Sequence, residues 1–579
     1  MSRVSLALLL ALGSLTGVNC RSDVSRSTSP RLARTAVAAQ DAETAAVVDG
    51  VLDSAKHPWM HWPRISDVAP DVKPLYDSEP DRLLWFDDDR PARVLGPTIA
   101  TIAKAADYGL DPTDYDATTL GDRWKAMTSG KPSATDRATF DVAVTAAVAR
   151  MLTAVRVGRV DPRTLDWGYD VAQKEFDVAA AVEDVRDGKA LAAALDGLQP
   201  SFTHYTRALK LLAAYRALVA KGEPPAVPDL PKGRKIEPGK SWTGVPQLAA
   251  RLRNVGDLPQ NADIAADATL YSGPLVDAVK SFQARHGLDD DGVLGSTTIR
   301  MINVPIAQRV RQIELAMERM RWLPTLSDRP NVFVNVALFR LWATDPATGD
   351  EPLRMNVVVG KSLDHRTPIF VEQMEYVIFR PYWNPPHDIT VNEILPHARR
   401  DPAYLSSEAL EIVASGADDA AVLPETTENL DAVEAGRLQL RQRPGPQNSL
   451  GLAKFIFPNT EDIYMHGTPA QQLFSKARRD FSHGCIRVED PEALAQWVLR
   501  DQPEWTKEKI EAAMQGDKPT RVNLKEKITV VIFYDTVHVN SQNVVFFLDD
   551  IYGHDAALDA ALERGYPYPR KADRKRQPS

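Results

Sequence analysis

Cysteine is almost missing from this chain: two occur in 579 residues, and Cys20 closes an N-terminal leader, so Cys485 would be alone in the mature protein. A disulfide framework is excluded, and so are the paired-cysteine spacings of structural zinc sites. No His-Glu-x-x-His run occurs either. Basic charge is also scarce. Lys and Arg total 69 against 78 Asp and Glu, a net charge of −9, with no sustained basic stripe before the tail at 570–576; no nucleic-acid partner is expected. Long apolar runs are lacking as well. Residues 4–12, behind Arg3, are too short to span a bilayer and read as the h-region of a secretory signal over 1–20, and no other segment is expected to span. Gly17-Val18-Asn19-Cys20 lacks the small residue that lipoprotein signals favour before the cysteine, so membrane attachment would rest on a lipid anchor at Cys20 alone.

What is present is a thiol in chemical company, in the run Phe481-Ser482-His483-Gly484-Cys485-Ile486-Arg487-Val488. His483 lies two residues before the cysteine and His466 nineteen before. Thiolate is the reactive form, and a free cysteine of pKa about 8.5 needs a base or a cation to reach it near neutrality. His466, His483 and Arg487 could supply these. Gly484 leaves its own N–H, or that of Cys485, open to a developing oxyanion. Such a loop suits acyl transfer through a cysteine nucleophile. Two other readings stand beside it: Cys485 as a small buried hydrophobe with incidental histidines, and, more weakly, a zinc site of Cys485, His483 and His466. No cofactor is called for.

Composition and period divide the chain into a multidomain α+β architecture: a leader (1–20), a flexible tether (21–74) and a helical scaffold domain (75–222), followed by a linker (223–244), a small helical module (245–303), a connecting helix (304–330), a β-rich domain (331–555) and a tail (556–579). The tether is Ser- and Ala-rich with few large apolar groups. In the scaffold, Phe140, Val144, Ala147, Val148, Met151 and Val155 repeat at three and four, with Gly158 as a stop; the acidic run Asp87-Asp88-Asp89 reads as solvated. The linker holds Pro224, Pro225, Pro228, Pro231 and Pro238. In the module a helix begins near Pro274, with Leu275, Ala278, Val279 and Phe282 as its stripe. Asp289-Asp290-Asp291-Gly292 is no EF-hand, because Leu294 and Arg300 stand where Gly and Glu are needed.

From Val332 the period falls to two, predicting strands that build a β-rich sandwich. A proline-rich interruption over about 386–450 is longer than an ordinary connection and reads as a lid. Beyond the nucleophile, Asp490 and Pro491 predict a helix start, with Leu494, Trp497 and Val498 inward.

At His466-Gly467-Thr468 and Ser482 to Arg487 the sequence resembles the L,D-transpeptidases of the YkuD family. The likeness extends to Val357-Val358-Val359-Gly360-Lys361, Pro381-Tyr382-Trp383-Asn384-Pro385-Pro386, Arg443-Pro444-Gly445-Pro446-Gln447-Asn448-Ser449-Leu450-Gly451 and Asp550-Ile551-Tyr552-Gly553, in the manner of the large YcbB-like members. Ala278-Val279-Lys280-Ser281-Phe282-Gln283 and Asp291-Gly292-Val293-Leu294-Gly295 resemble a peptidoglycan-binding module. The resemblance implies an envelope or periplasmic enzyme that cross-links peptidoglycan through a Cys485 acyl-enzyme with release of D-alanine, and a capping subdomain over the site. Its partners would be stem peptides and glycan, and its inhibitors carbapenems. In it His466 is the base, oriented by the Gly467 carbonyl; Tyr464, Trp383 and Asn384 line the pocket, Ser482, His483 and Gly484 shape the nucleophile loop, and Arg487 anchors a carboxylate or pairs with Glu489 or Asp490. Hydrolysis of the acyl-enzyme, attachment or release of an envelope protein, and noncatalytic wall binding are the rival functions.

Overall fold

The computed structural model describes residues 30–566, apart from 79–82, 88–89, 175, 326–328, 349–351 and 363–364. The leader with Cys20, the segment on to residue 29, Asp88, Asp89 and the basic tail at 570–576 lie outside the described residues.

Helix Ala134–Val157 is started by a reciprocal cap, the Ser133 side chain accepting from the Asp136 N–H and the Asp136 carboxylate from the Ser133 N–H. Its expected stripe is buried, but so is nearly every other position, including Asp141 and Arg150. The cause is crowding on all sides by helices Pro30–Ser54, Val178–Arg186 and Leu191–Leu198. By length and composition this helix could cross a membrane, contrary to the sequence reading, yet its apolar window is packed inside the scaffold core. The tether is also corrected: Pro30–Ser54 is a helix, and Val48, Val51, Leu52, Met60, Ile65 and Val72 enter the scaffold core. Alanine favours helix intrinsically, and the neighbours supply the bulk that the segment lacks.

The expected linker has no helix of its own, but Val227 and Ile236 are buried in the module, and Ile236 exchanges both backbone hydrogen bonds with Leu294 at 3.0 Å. Proline blocks ladders, not side-chain burial. Helices Val245–Asn254, Pro274–Arg285 and Ser296–Ile302 complete the module. Helix Ile306–Trp322 then runs between scaffold helix Thr203–Lys221 and the β domain. Trp322 meets Trp167 edge-on at 5.3 Å, Arg321 pairs with Glu318 at 3.0 Å, and Arg319 pairs with Asp555.

A nine-stranded sheet follows: β1 Asn331–Asn335, β2 Arg340–Thr344, β3 Leu353–Gly360, β4 Phe370–Phe379, β5 Ala453–Ile456, β6 Met465–His466, β7 Asp480–Ser482, β8 Ile486–Val488 and β9 Thr520–Phe533. Their order is β7-β3-β8-β6-β5-β4-β9-β1-β2, and β2 also pairs with β3. The two layers of the expected sandwich are thus one sheet closed on itself around Val332, Val357, Val377, Phe455, Met465, Ile486 and Val530. Between β4 and β5 the insertion folds on its own small core of Ile394, Leu405, Ile412, Leu430 and Leu440, with a π-helical turn at Thr390–Ile394. The expected tail is corrected too: His554–Glu563 is a helix with Leu558 and Leu562 in the core of the β domain, and the Tyr566 hydroxyl donates to that of Tyr115 at 3.0 Å inside the scaffold.

Candidate active site

Residues opposite one another in paired strands share a face. The register therefore sets Lys454, His466 and Arg487 in one row across β5, β6 and β8. Ala453, Phe455, Met465, Ile486 and Val488 point the other way and are buried in the core. Tyr464 and Cys485, each one residue before its strand, alternate back to the face of the row, tied by the Ile486 N–H donating to the Tyr464 carbonyl at 3.1 Å.

Burial pushes the Cys485 thiol pKa up, against hydrogen bonds from the Tyr464 backbone and side chain and the fields of Lys454 and Arg487. His466 is 5% exposed, and its Nδ1 lies 2.5 Å from the Gly467 carbonyl oxygen. That carbonyl can only accept, which assigns the proton to Nδ1 and leaves Nε2 as an acceptor. Burial first, then Arg487, pushes the His466 pKa down to about 3, Lys454 adding to the effect while the Gly467 and Leu450 carbonyls oppose it. Thiol and imidazole are thus both held neutral at physiological pH.

The loop that presents Cys485 is fastened at several points. Gly484 has φ of +113°, where a side chain would be strained, and its carbonyl accepts from Thr367 Oγ1 at 2.7 Å. Thr367 Oγ1 also accepts the Gly360 N–H at 2.9 Å, and the Tyr552 hydroxyl bridges Thr367 N–H and the Gly360 carbonyl. Ser482 Oγ donates to the Cys485 carbonyl at 2.6 Å and accepts the Gly484 N–H at 3.3 Å. On the His466 side, Gly451 has φ of +62°, and a Cβ there would lie 2.6 Å from the Gly467 carbonyl carbon. Asn448 shapes that turn, accepting the Leu450 N–H at 2.8 Å and donating to the Arg443 carbonyl at 3.0 Å. Helix Pro491–Val498, capped by Asp490 accepting from the Ala493 N–H at 2.9 Å, sets Pro491 against Gly467.

Other expected residues make contacts with the capping insertion. His483 Nε2 lies 2.7 Å from Glu393 Oε1 in the capping insertion, beside the His365 ring at 4.7 Å. Trp383 exchanges backbone hydrogen bonds with Gln442 at 3.1 and 2.7 Å, and Asn384 Nδ2 reaches the Gly416 carbonyl at 3.4 Å, so both take their contacts from the insertion. Arg487 does not pair with Glu489, which binds Asn356 at 2.9 and 3.1 Å, nor with the capping Asp490. Its Nε is buried without a hydrogen-bond partner among the described residues. Sequence reasoning missed Lys454, whose Nζ sits 3.7 Å from the Tyr464 ring centroid, and Thr367. Lys454 alternates with core-facing Ala453 and Phe455, but only the strand register reveals that it stands beside His466. Among the described residues no cluster of three His, Cys, Asp or Glu could hold a metal ion.

Residues 329–531 match the YkuD family, described as the L,D-transpeptidase catalytic domain; residues 70–212 match the "Scaffold domain" and 243–302 the "Putative peptidoglycan binding domain". The chain thus carries a YkuD-type L,D-transpeptidase catalytic domain beside a scaffold domain and a peptidoglycan-binding-type module, an architecture consistent with the YcbB-like type. A "Putative L,D-transpeptidase" of Haemophilus influenzae is 29% identical over 255 residues, 43% of this chain and 49% of that protein. The chain spans about half the length of the curated relative it matches. A solved L,D-transpeptidase from Xylanimonas cellulosilytica is 17% identical, covering 54% of this chain and 100% of that one, with a TM-score of 0.16, too low to bear on the fold.

Proposed function

We propose that the protein is a peptidoglycan L,D-transpeptidase of the cell envelope, secreted to the periplasm through its leader, with Cys485 as nucleophile and His466 as base. The observation that carries this reading is the single sheet face holding Cys485, Tyr464 and His466, with Nδ1 of His466 turned onto the Gly467 carbonyl. In it Sγ gives its proton to His466 Nε2 and bonds to the carbonyl carbon between the third and fourth stem residues. The C–N bond breaks, D-alanine leaves with that proton, and an acceptor amine resolves the thioester and restores the thiol. The Gly484 N–H is engaged by Ser482 Oγ, so the Cys485 N–H is the better oxyanion donor. Module 243–302 would hold glycan or stem peptide. Carbapenems would acylate Cys485, and Cys20 would be the place of any lipid anchor.

Incubating the purified protein with tetrapeptide muropeptides and resolving products by mass tests the reading. Cross-linked dimers that have lost one alanine are expected, and Cys485→Ala should abolish them. Tripeptides alone would indicate a hydrolase. Turnover that survives in Cys485→Ala would overturn the proposal.

A further inference from the structure

Like charges side by side across a sheet repel, and rows of this kind are ordinarily of mixed sign. The row Lys454, His466, Arg487 departs from that pattern, with two half-buried cations flanking one histidine. Among the described residues neither cation forms an ion pair. The acids that could have served are used elsewhere: Glu489 holds Asn356, and Asp490 caps a helix. Asp462 is exposed and offers Cys485 its backbone carbonyl, at 3.8 Å from Sγ; its carboxylate reaches Lys454 through its field only. Lys454 Nζ lies instead over the ring of Tyr464, whose side chain hydrogen-bonds to Cys485. Enclosing two cations without a counter-ion costs stability unless an anion joins them. The same arrangement hinders catalysis until an anion joins it, since a proton taken by His466 would sit between two positive charges.

We propose that Lys454 and Arg487 form a seat for a carboxylate of the donor peptide, so that the anion which anchors the substrate also makes His466 a competent base. This rests on the reading of Cys485 as the nucleophile. With the carboxylate seated, the Sγ proton passes to His466 Nε2 as the sulfur–carbon bond forms, and the departing D-alanine amine carries it away. No further reactant is required. A peptide donor offers two candidate carboxylates, its C-terminus and any borne by the third residue.

The test uses the full chain and three donors: the tetrapeptide as free acid, its C-terminal amide, and the form amidated on the third residue. Removing a charge-assisted contact should lower kcat/KM about ten- to a hundredfold for one of the two amides, and which one identifies the carboxylate. In Lys454→Met the free acid should fall to the level of that amide, and the difference between the two should vanish; Lys454→Arg should restore it. A purely structural role for Lys454 would lower all donors alike and would overturn the proposal, as would two amides turned over as well as the free acid. Alkylation of Cys485 separates this seat from the transpeptidase reading: iodoacetate should show saturation that iodoacetamide does not, whether or not any donor is turned over. Should Lys454→Met fail to fold, protection of wild-type Cys485 from iodoacetamide by propionate but not by propionamide supports the seat, and equal effects overturn it.

Discussion

His466 and His483 are the same kind of residue near the same sulfur, and their hydrogen bonds separate their roles. His466 points Nδ1 at the Gly467 carbonyl, while His483 Nε2 is held by Glu393. Losing a positioned base typically costs about 10²–10⁴-fold in rate. His466→Ala should therefore slow single-turnover acylation by a carbapenem in that range, and His483→Ser appreciably less; a larger loss in the second variant would reverse the assignment. The pH profile should be unusual as well. With His466 neutral down to about pH 3 and the thiol pKa raised, the reactive pair persists from acid to alkali, and acylation should be flat from roughly pH 5 to 8. In His466→Ala the rate should follow the thiolate and climb about tenfold per pH unit. A wild-type acid limb near pH 6.5, the ordinary histidine value, would contradict the neutral-pair picture. Cys485 could be singled out as a lone thiol with His466, His483 and Arg487 as candidate partners, and the family resemblance pointed to His466 among them. Lys454 could not, because standing beside His466 depends on how β5 and β6 register, which no local pattern records.

Among elements, the nucleophile loop meets the capping insertion in the pair Glu393 to His483, and Glu393 comes from the π-helical turn. Both side chains are partly exposed, so the pair is worth at most about 1 kcal/mol, or up to roughly fivefold in a local opening equilibrium. Glu393→Ala should speed hydrogen exchange over 387–443 by up to that factor without slowing alkylation of Cys485 by iodoacetamide; unchanged exchange would show that the contact does not restrain the cap. Helices and strands were largely legible from their periods: the stripe at Leu275, Ala278, Val279 and Phe282, and the alternation from Val332, are buried as their spacing requires. What the sequence concealed was company. The segment holding Val48, Val51 and Leu52 looks unable to fold because the side chains that share its core include those of helix Ala134–Val157, far along the chain. Ile236 in its proline-rich surroundings is likewise held by Leu294.

For the molecule as a whole, buried histidines set its response to acid. Burial pushes His57 and His204 down to about 4 and His466 and His554 to about 3, with His286 and His538 also well below the ordinary value. As pH falls below about 6.5 the unfolded chain takes up protons that these six refuse when folded, so stability is lost on acidification. Asp141 and Asp535, raised to about 7, act the other way, because folded they hold protons that the unfolded chain releases above about pH 4. Asp114, Asp116 and Glu425 are raised as well and act the same way, but the six histidines outnumber these five carboxyls. Calorimetric transitions should move to lower temperature between about pH 6.5 and 4.5, and a constant or rising Tm would show that these histidines are not buried as neutral species. The spine helix Ile306–Trp322 has a mechanical consequence. Through Gln312 it grips the carbonyls of Thr536 and Leu548, at 3.3 and 3.0 Å, through Arg319 it holds Asp555, and through Arg309 it reaches the Met301 carbonyl of the module at 3.2 Å. Module and catalytic sheet are thereby bolted to one beam instead of strung on a tether. A polymer strand gripped by the module would stand at a set offset from the sulfur, and the protein would act as a gauge, its own dimensions choosing which stem along the strand is reached next.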